Sequence, residues 1–398
     1  MAIQEVKFVV GASYGDEGKG VMSNYFTKIA KQRNMAVLNV LYNGGCQRGH
    51  TAQGHVFHCF GSGAKLGADT YYTKNFMVNP IAWYFEYQDL DYMPKLFIHP
   101  KARVTTPYDV AVNQALERKR GDKRHGSCGL GILETRHRSE WMVNHLVAED
   151  FLDEFTLYSK LIKIKTEYFP ARCKELKIEA EINPYEFDNF ISCIHQMMTC
   201  GNVEIIDEEI FKNYNSIIFE GGQGLLLSET NIPDFPHLTP SITGVDGARN
   251  ELSWIFNNSN ANYEFCVVTR PYLTRHGAGP LPNECKREDI SDKIVDETNM
   301  PNEWQGSLRF APLSYYMLYK WLDMPTIQID KTVFGPSETF QFTTAITCLD
   351  QTDGKLAVWL PSKNKIEYFD VTKPDGIGNH ANRIYAFYGK DTLPRIYL

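Results

Sequence analysis

Short apolar runs, each followed by a glycine-rich or polar loop, recur along this chain. Residues 6–12 form an apolar, β-branched run, and residues 36–42 form a second one after a stretch of helical character at 21–31. Runs of this length without polar alternation are typical of strands that are buried on both faces. The order strand, helix, strand therefore predicts a parallel sheet with a right-handed crossover.

Three further apolar runs, at 216–219, 265–269 and 326–329, also lead into glycine-rich or polar loops. Open α/β sheets bind their ligands at loops of this kind. Residues from about 130 to 210 have helical character and no glycine turn motif, and no repeat or linker interrupts the chain. We therefore predict an α/β fold with a mostly parallel central sheet flanked by helices, as a single domain 1–398 with a mainly helical insertion at about 130–210.

Composition narrows the class of protein. The chain has 398 residues, a net charge of −7 and nine scattered cysteines without a CxxC pair, which argues against a zinc site or a disulfide framework. No apolar stretch approaches the roughly 20 residues that cross a bilayer. The acidic balance argues against binding nucleic acid through the overall field. We expect a cytoplasmic protein whose partners are small molecules rather than nucleic acid or membrane.

The strongest single signal is the segment GDEGKG at 15–20, directly after the first predicted strand. Its glycines let main-chain N–H groups approach a phosphate, and the following helix adds its positive N-terminal end. Lys19 can neutralise phosphate charge. The segment is not a Walker A loop, because Gly20 stands where that motif has Ser or Thr. It predicts a phosphate site, with a glycine turn that binds nothing as the alternative.

Asp16 is an acidic residue within this predicted phosphate loop. A carboxylate there repels phosphate unless a metal ion lies between them or unless it acts as a base. Taken alone, it is more often a turn residue.

A second glycine loop, NGGCQRGHT at 43–51, follows the second predicted strand, so its tip is expected beside the first loop. His50 could donate a hydrogen bond or a proton to a phosphoryl oxygen or leaving group. A lone histidine is usually structural, but the pairing of two glycine loops favours the chemical role.

Four motifs resemble those of the adenylosuccinate synthetase family. YGDEGKG at 14–20 and GGCQRGHT at 44–51 resemble WGDEGKGK and GGxNAGHT. FEGGQG at 219–224 and TRHGAGP at 274–280 resemble FEGAQG and TRVGAGP. The similarity thins between about 130 and 210 and again after 330. The resemblance implies this family's fold and a ligase of purine biosynthesis that joins aspartate to a purine monophosphate with a nucleoside triphosphate.

The resemblance also implies a reaction in two steps. Asp16 corresponds to the base that removes the proton from N1 of the purine, and His50 to the acid that assists transfer of the γ-phosphoryl group to O6. The amine of aspartate then displaces phosphate. The implied cofactor is Mg²⁺, which would bridge Asp16, the main-chain oxygen of Gly49 and the phosphates.

Three groups of binding residues are implied in the same way, with inosinate and GTP as the expected nucleotides. For the triphosphate they are Gly15, Gly18, Lys19, Gly20, Gly49, Thr51 and Asp330, Lys19 also counting as catalytic. For the purine monophosphate they are Asp16, Gln47, Ser127, Cys128, Arg138, Gln223 and Thr239. For the amino acid they are Gln305, Gly306, Ser307 and Arg309.

The departures from the family pattern bear on specificity. The family's aspartate loop is an arginine-rich TTGRRRR-like run, but this chain keeps only Arg309 there. The resemblance therefore supports a ligation reaction more strongly than it supports aspartate as the amino-acid substrate. Where the family has a TKLD segment, this chain has TIQID at 326–330. This segment favours GTP as the nucleoside triphosphate and leaves ATP as an alternative. GSCGLG at 126–131 resembles GTTGRGIG, after which the family has an arginine that reaches the neighbouring subunit's monophosphate. Arg136 or Arg138 could take that role, which implies a homodimer.

Two rival interpretations remain. Related viral enzymes join aspartate to deoxyguanylate, but they tend to replace the loop aspartate with serine, whereas this chain retains Asp16. A non-catalytic relative that only binds nucleotide would explain the lost arginines, but the retention of Asp16, Lys19 and His50 counts against it. The motifs of a P-loop kinase or a dehydrogenase are absent.

Overall fold

The computed structural model describes residues 2–140, 145–296, 299, 304–314, 340–371, 383–389 and 392–397. The strands are Glu5–Gly11 (β1), Val37–Leu41 (β2), Gly44–Gly45 (β3), His50–Ala52 (β4), His55–Phe57 (β5), Asp69–Tyr72 (β6), Phe76–Met77 (β7), Leu96–Ile98 (β8), Val203–Ile205 (β9), Ser216–Gly224 (β10), Asn262–Thr269 (β11), Leu273–Arg275 (β12), Arg309–Ala311 (β13), Leu313–Ser314 (β14), Phe340–Ile346 (β15), Lys355–Leu360 (β16), Lys365–Asp370 (β17), Arg383–Ala386 (β18) and Arg395–Tyr397 (β19). The α-helices are Lys19–Gln32 (α1), Pro80–Asp89 (α2), Pro107–Arg120 (α3), Ile132–Ser139 (α4), Glu154–Lys163 (α5), Phe169–Leu176 (α6), Pro184–Thr199 (α7), Arg249–Asn258 (α8) and Arg287–Ile290 (α9).

Ten of these strands form the central sheet, in the order β19-β18-β15-β11-β1-β10-β2-β6-β8-β9. Every neighbouring pair is parallel except β18 with β19 at one edge. The first strand lies in the middle of the sheet, between β10 and β11. The predicted α/β fold with a mostly parallel central sheet is confirmed.

The apolar runs at 6–12, 36–42, 216–219 and 265–269 fall on β1, β2, β10 and β11. The run at 326–329 lies outside the described residues. The stretch of helical character contains α4 to α7, but it ends in β9, which pairs with β8 at the other edge of the sheet. That strand is only three residues long, and all three are half-buried or exposed. The sequence therefore has no apolar run there from which the strand could be predicted. The single-domain organisation stays a prediction.

Aromatic side chains fix the three central strands against each other. The ring of Phe8 stacks on Phe219 with the centroids 4.8 Å apart and on Phe265 with the centroids 6.0 Å apart. Each such pair contributes roughly 0.5–1.5 kcal/mol beyond the burial of its area. Because the strands are parallel and held in register, their carboxyl ends meet at one edge, where the loops after β1, β2, β10 and β11 lie together.

Helices α2, α3, α5 and α7 share a hydrophobic core with β6 and β8. Helix α3 begins with a capping box, in which the Thr106 N–H and hydroxyl donate to Asp109 at 2.8 and 2.9 Å. The Asp109 N–H donates back to the Thr106 hydroxyl at 3.4 Å. Such caps stabilise a helix by about 1 kcal/mol.

Among the described residues, no helix is long and apolar enough to cross a membrane.

Candidate active site

The first glycine loop, residues 12–20, closes around a carboxylate of its own. Glu17 is 1% exposed, and its Oε1 accepts the main-chain N–H groups of Ser13 at 3.0 Å and Gly15 at 2.9 Å. Its Oε2 lies 2.6 Å from the ammonium of Lys19. The N–H of Gly15 and the ammonium of Lys19, both predicted to serve a triphosphate, therefore face Glu17 in this structure.

Glycines let this loop pack closely against its neighbours. Gly18 has a φ of +91°, and a Cβ there would lie 2.7 Å from Thr347, whose hydroxyl donates to the main-chain oxygen of Glu17 at 2.7 Å. A Cβ at Gly20 would lie 2.9 Å from the Cβ of His50. Helix α1 begins directly after Gly18, which provides no side-chain cap. The first N–H groups of the helix can therefore bind an anion.

Asp16 lies at the tip of the loop with a left-handed φ of 59°. Its Oδ2 is 2.9 Å from Nε2 of His276, and its main-chain oxygen accepts from Nε of Arg270. Burial raises the pKa of this carboxyl, but the hydrogen bond and charge of His276, with the charges of Arg270 and Lys19, outweigh burial and lower the pKa to about 2. An ionised carboxylate, 20% exposed, therefore faces the site.

A buried ion cluster links the second glycine loop, residues 43–51, to the end of β10. Arg48 and Glu220 pair directly and are both fully buried. Nδ1 of His50 lies 2.5 Å from Oε1 of Glu220 and 2.5 Å from Nη2 of Arg48. Ser62 donates its N–H to the carboxylate at 3.0 Å and its hydroxyl at 2.5 Å. The cluster fixes the imidazole and leaves Nε2 of His50 buried without a partner among the described residues.

The charge states in this cluster follow from burial and pairing. Burial, reinforced by the charge of Arg48, lowers the pKa of His50 to about 4, although Glu220 acts in the opposite direction. Burial raises the pKa of Glu220, but the charge of Arg48 and the hydrogen bonds of His50 and Ser62 outweigh it and lower that pKa to about 2. At neutral pH the pair is therefore a carboxylate beside a neutral imidazole.

Side-chain amides gather where the second loop meets the end of β10. Asn43 accepts the N–H of Gly222 at 2.9 Å and donates to Oε1 of Gln223 at 3.1 Å. Gly44 has a φ of +74°, and a Cβ there would lie 2.8 Å from amide atoms of both Gln47 and Gln223. Oε1 of Gln47 and Nε2 of Gln223 are buried without a partner among the described residues. One acceptor and one donor are thus left for a ligand.

The loop at 126–131 packs against the 274–280 segment. A Cβ at Gly126 would lie 2.5 Å from Cα of Gly277. The hydroxyl of Ser127 accepts from Nδ2 of Asn113 at 2.9 Å, which fixes it to helix α3. Burial raises the pKa of the Cys128 thiol to about 11, so this thiol is neutral.

Arg138, assigned above to the monophosphate, is placed differently. Its side chain is fully buried, with Nε 2.9 Å from Oδ1 of Asp109 and Nη2 2.9 Å from Oδ2. It holds α4 against the start of α3 and cannot reach a neighbouring subunit in this arrangement. Arg136 is 32% exposed and pairs with Glu229 of the same chain. Of the two arginines considered for the role across the dimer, only Arg136 lies near the surface.

Arg309 is held inside its own chain as well. Its Nε donates to Glu284 at 2.8 Å, and its Nη1 donates to the main-chain oxygens of Gly277 and Gly279 at 2.7 and 2.6 Å. The predicted amino-acid loop therefore contacts the 274–280 segment.

The remaining predicted residues lie around these loops. Thr51, Thr239 and Gln305 are half-buried, whereas Gly49, Gly306 and Ser307 are exposed. Asp330 lies outside the described residues.

The structure thus places Asp16 beside the 270–276 segment. It places His50, Gln47 and Gln223 close together around β10. The partners of these groups could not be predicted from the motifs. Glu17 and Glu220 stood in those motifs without a role. The signal for Glu220 was available, because a carboxylate that ends a fully apolar strand requires a buried partner.

Comparison with known proteins found relatives of this chain. The family model described as adenylosuccinate synthetase matches residues 8–303. An adenylosuccinate synthetase of Halothermothrix orenii is 28% identical over 370 residues, covering 87% of this chain and 78% of that protein. One from Clostridium botulinum is 26% identical over 389 residues, covering 92% of this chain and 84% of that protein.

Two solved structures share the fold. Fully ligated adenylosuccinate synthetase from Plasmodium falciparum matches with a TM-score of 0.69 and 16% identity, covering 91% of this chain and 82% of that chain. Succinoaminodeoxyadenylate synthetase of cyanophage S-2L, bound to dGMP and dATP, matches with a TM-score of 0.59 and 14% identity, covering 98% and 94%. Since the family model spans most of the chain, this protein belongs to the adenylosuccinate synthetase family of carbon–nitrogen ligases in purine biosynthesis.

Proposed function

We propose that this chain joins L-aspartate to inosinate with hydrolysis of GTP, through a 6-phosphoryl intermediate. One observation carries the proposal. Nε2 of His50, Oε1 of Gln47 and Nε2 of Gln223 are all buried without partners among the described residues. They lie at one edge of the sheet, on the second glycine loop and at the end of β10, next to the loop that carries Asp16. Because buried polar groups are nearly always hydrogen-bonded, such a cluster marks a surface that a polar ligand completes.

Asp16 and His50 divide the proton chemistry between them. The ionised, half-buried carboxylate of Asp16 accepts the proton of purine N1, which increases the negative charge on O6. His50 stays neutral at pH 7, because its pKa is about 4. Nδ1 of His50 donates to Glu220 in the free site, and bound phosphate would select the other neutral tautomer, in which Nδ1 accepts from Arg48. Its Nε2–H then donates to the phosphoryl oxygens during transfer to O6. Phosphorylation turns O6 into a leaving group that the amine of aspartate displaces.

The purine is bound through the side-chain amides. Gln223 offers Nε2–H to the base edge while Asn43 holds its Oε1, which fixes the direction of the amide. Gln47 and Thr239 serve the monophosphate in this proposal. Ser127, on the loop at 126–131, provides a hydroxyl to the same monophosphate.

The triphosphate lies over the N-terminus of α1. Gly18 and Gly20 let it approach the main chain, and the free N–H groups of the first turn bind phosphate oxygens. Lys19 contributes charge while it remains paired with Glu17, since an ammonium has three donors and the carboxylate accepts one of them. The choice of GTP is inferred from Asp330 and belongs to the proposal.

The donor chemistry fits Mg²⁺ as cofactor. Magnesium binds through one or two carboxylates and substrate phosphates, and it keeps several waters. Asp16 provides a carboxylate, and the exposed main chain at Gly49 provides a carbonyl oxygen. No group of three or more acidic, histidine or cysteine ligands occurs among the described residues, which suits an ion held largely by phosphates. When bound, the ion would neutralise charge that develops on them.

The amino acid requires an exchange of partners. Arg309 now binds the carboxylate of Glu284, and the two side chains are 25% and 44% exposed. A partly exposed pair of this kind contributes only about 0–1 kcal/mol, so a substrate carboxylate can replace Glu284 at little cost. We also propose a homodimer, with Arg136 as the residue that reaches the neighbouring subunit.

Turnover of the purified protein with Mg²⁺ tests the proposal. Inosinate, guanylate and deoxyguanylate are each combined with GTP or ATP, with and without aspartate, and mass spectrometry identifies the products. An aspartate adduct of inosinate that needs GTP is the expected result. An adduct of deoxyguanylate alone would assign the chain to the 2-aminopurine reaction instead. Binding of nucleotides without any adduct would contradict ligation of aspartate and favour a different amine or a non-catalytic relative.

A further inference from the structure

His276 contacts the proposed base and has no counterpart in the motif that this segment resembles. The chain reads TRHGAGP at 274–280, where the resembled pattern TRVGAGP has valine. Nε2 of His276 lies 2.9 Å from Oδ2 of Asp16. Valine at this position offers no hydrogen-bond donor, so the contact is a property of this chain.

The hydrogen on Nε2 can be assigned from a neighbouring amide. Asn299 donates from Nδ2 to Oδ1 of Asp296 at 3.1 Å and to Oδ2 at 2.9 Å. Its Oδ1 therefore faces His276, at 3.2 Å from Nε2. Both neighbours of Nε2 are acceptors, one from Asn299 and one from Asp16, so Nε2 carries a hydrogen and donates it.

The 270–276 segment holds the main chain of the same loop from the same side. Nε of Arg270 donates to the main-chain oxygen of Asp16, and the hydroxyl of Thr274 donates to that of Gly15 at 3.0 Å. These contacts fix the backbone but leave the χ2 torsion of the carboxylate free, and this torsion has broad minima. The structure gives Oδ1 of Asp16 no donor within the described part of the chain. The hydrogen bond from His276 therefore determines which carboxylate oxygen of Asp16 remains available to a ligand.

We propose that His276 is a positioning residue for Asp16: its Nε2–H holds Oδ2, so that Oδ1 faces the N1–H of the purine. The proposal rests on the base role given to Asp16 above. It requires the imidazole to donate a hydrogen bond, not to transfer a proton. A side chain that donates at the same distance should replace it, and an apolar one of similar bulk should not.

Three variants test the proposal by steady-state kinetics. His276→Val, which restores the valine of the resembled motif, is expected to lower kcat roughly 10- to 100-fold, because misplacing a reacting group by about 1 Å can lower the rate about 100-fold. The KM for the purine monophosphate should change less than about threefold, since uniform binding is unaffected. His276→Gln, which keeps an N–H donor, should recover most of kcat. His195→Val, on the exposed face of α7, is the matched control and should behave as wild type.

Several results would overturn the proposal. His276→Val with wild-type kcat, an equal loss in the glutamine and valine variants, or a rise in KM at constant kcat would each do so. In the Asp16→Ala background, His276→Val should lower the residual rate no further, and an additional loss there would assign His276 another role.

Failure of the proposed function can be told apart from failure of this inference. If wild type forms no adduct, the ligase reaction is wrong, and crystal structures of wild type and His276→Val still decide the positioning role. The carboxylate of Asp16 should keep one orientation in wild type and change it in the variant. The same ordered orientation in both would contradict the inference.

Discussion

The two glycine loops of the active site are built in opposite ways. In the first loop, Glu17 lies inside the turn and accepts hydrogen bonds from the groups around it, including the ammonium of Lys19. In the second loop, the buried cluster of Arg48 and Glu220 holds the imidazole of His50 from one side only. Its other nitrogen is left without a partner among the described residues.

This difference separates a scaffold from a binding surface. Glu17 and Lys19 satisfy each other before any ligand arrives, so they define the shape of the first loop. His50 and Gln223 each bind the protein through one polar atom. These two residues and Gln47 each have a buried polar atom without a partner among the described residues. Changes at Glu17 should therefore act mainly on stability, and changes in the second set mainly on kinetics. Asp16 belongs to the first loop by position and to the second set by chemistry.

The largest effect is expected for Asp16→Ala. Loss of a general base lowers kcat roughly 10²- to 10⁴-fold, whereas the triphosphate contacts of the α1 N-terminus remain. Single-turnover rates and equilibrium binding of GTP should separate these two effects. Turnover at the wild-type rate in this variant would remove Asp16 from the mechanism.

Replacing Glu17 with glutamine tests the scaffold. The variant leaves the ammonium of Lys19, which is 2% exposed, without its counter-charge. Breaking a buried ion pair in this way lowers the free energy of unfolding by about 3–5 kcal/mol, which urea denaturation can measure. Glu149→Gln is the matched control, because its pair with Lys101 is solvent-exposed and worth less than about 1 kcal/mol. Equal losses in the two variants would show that burial of the first loop carries no special cost.

A buried carboxyl group outside both loops shows that a buried atom without a partner does not always mark a ligand site. Glu251 on α8 is 0% exposed, and neither carboxyl oxygen has a partner among the described residues. Burial, with the charge of Glu208, raises the pKa of Glu251 from 4.5 to about 7. The folded chain therefore keeps this carboxyl neutral in a range where the unfolded chain has ionised it. An unpartnered group here reflects protonation and does not mark a ligand.

The pH dependence of stability follows with a defined sign. Because the folded pKa is the higher one, the contribution is present below the unfolded pKa of 4.5 and is lost as the pH rises to about 7. A shift of this size corresponds to roughly 3 kcal/mol. Glu251→Gln should gain that much relative to wild type between pH 4.5 and pH 8, measured by urea denaturation. A difference between the two proteins that does not change with pH would contradict the assignment.

The smallest effect is expected for Gln223→Glu, which replaces the unpartnered donor with an acceptor of the same shape. Glu keeps the oxygen that accepts from Asn43, and the residue is only half-buried, so the free energy of unfolding should fall by no more than about 1 kcal/mol. The KM for inosinate should rise about tenfold, since one hydrogen bond contributes roughly 1.4 kcal/mol. A larger loss of stability than of affinity would place Gln223 in the scaffold instead.

The sequence predicts the centre of this fold better than its edges. β1, β2, β10 and β11 are found because each is a buried apolar run that ends in a polar loop. β9 was missed, because three residues at the edge of the sheet need no apolar pattern.

The site shows the same limit. Motifs indicated Asp16 and His50, but they could not show that Glu220 orients His50 or that His276 holds Asp16. Such pairs join positions 170 and 260 residues apart, and the spacing within one motif carries no information about them. Arg138 illustrates the converse. It was one of two arginines after the 126–131 loop considered for a ligand contact, and tertiary packing gives it a buried ion pair with Asp109.

In the proposed reaction, O6 of the purine is phosphorylated before aspartate attacks. Inosinate labelled with ¹⁸O at position 6 tests it directly, in a reaction with GTP, Mg²⁺ and aspartate followed by ³¹P NMR of the phosphate released. Transfer of the γ-phosphoryl group to O6 predicts one ¹⁸O atom in each phosphate for every adduct formed. Adduct formation with unlabelled phosphate would show that O6 leaves by another route, and the roles of Asp16 and His50 would then be wrong.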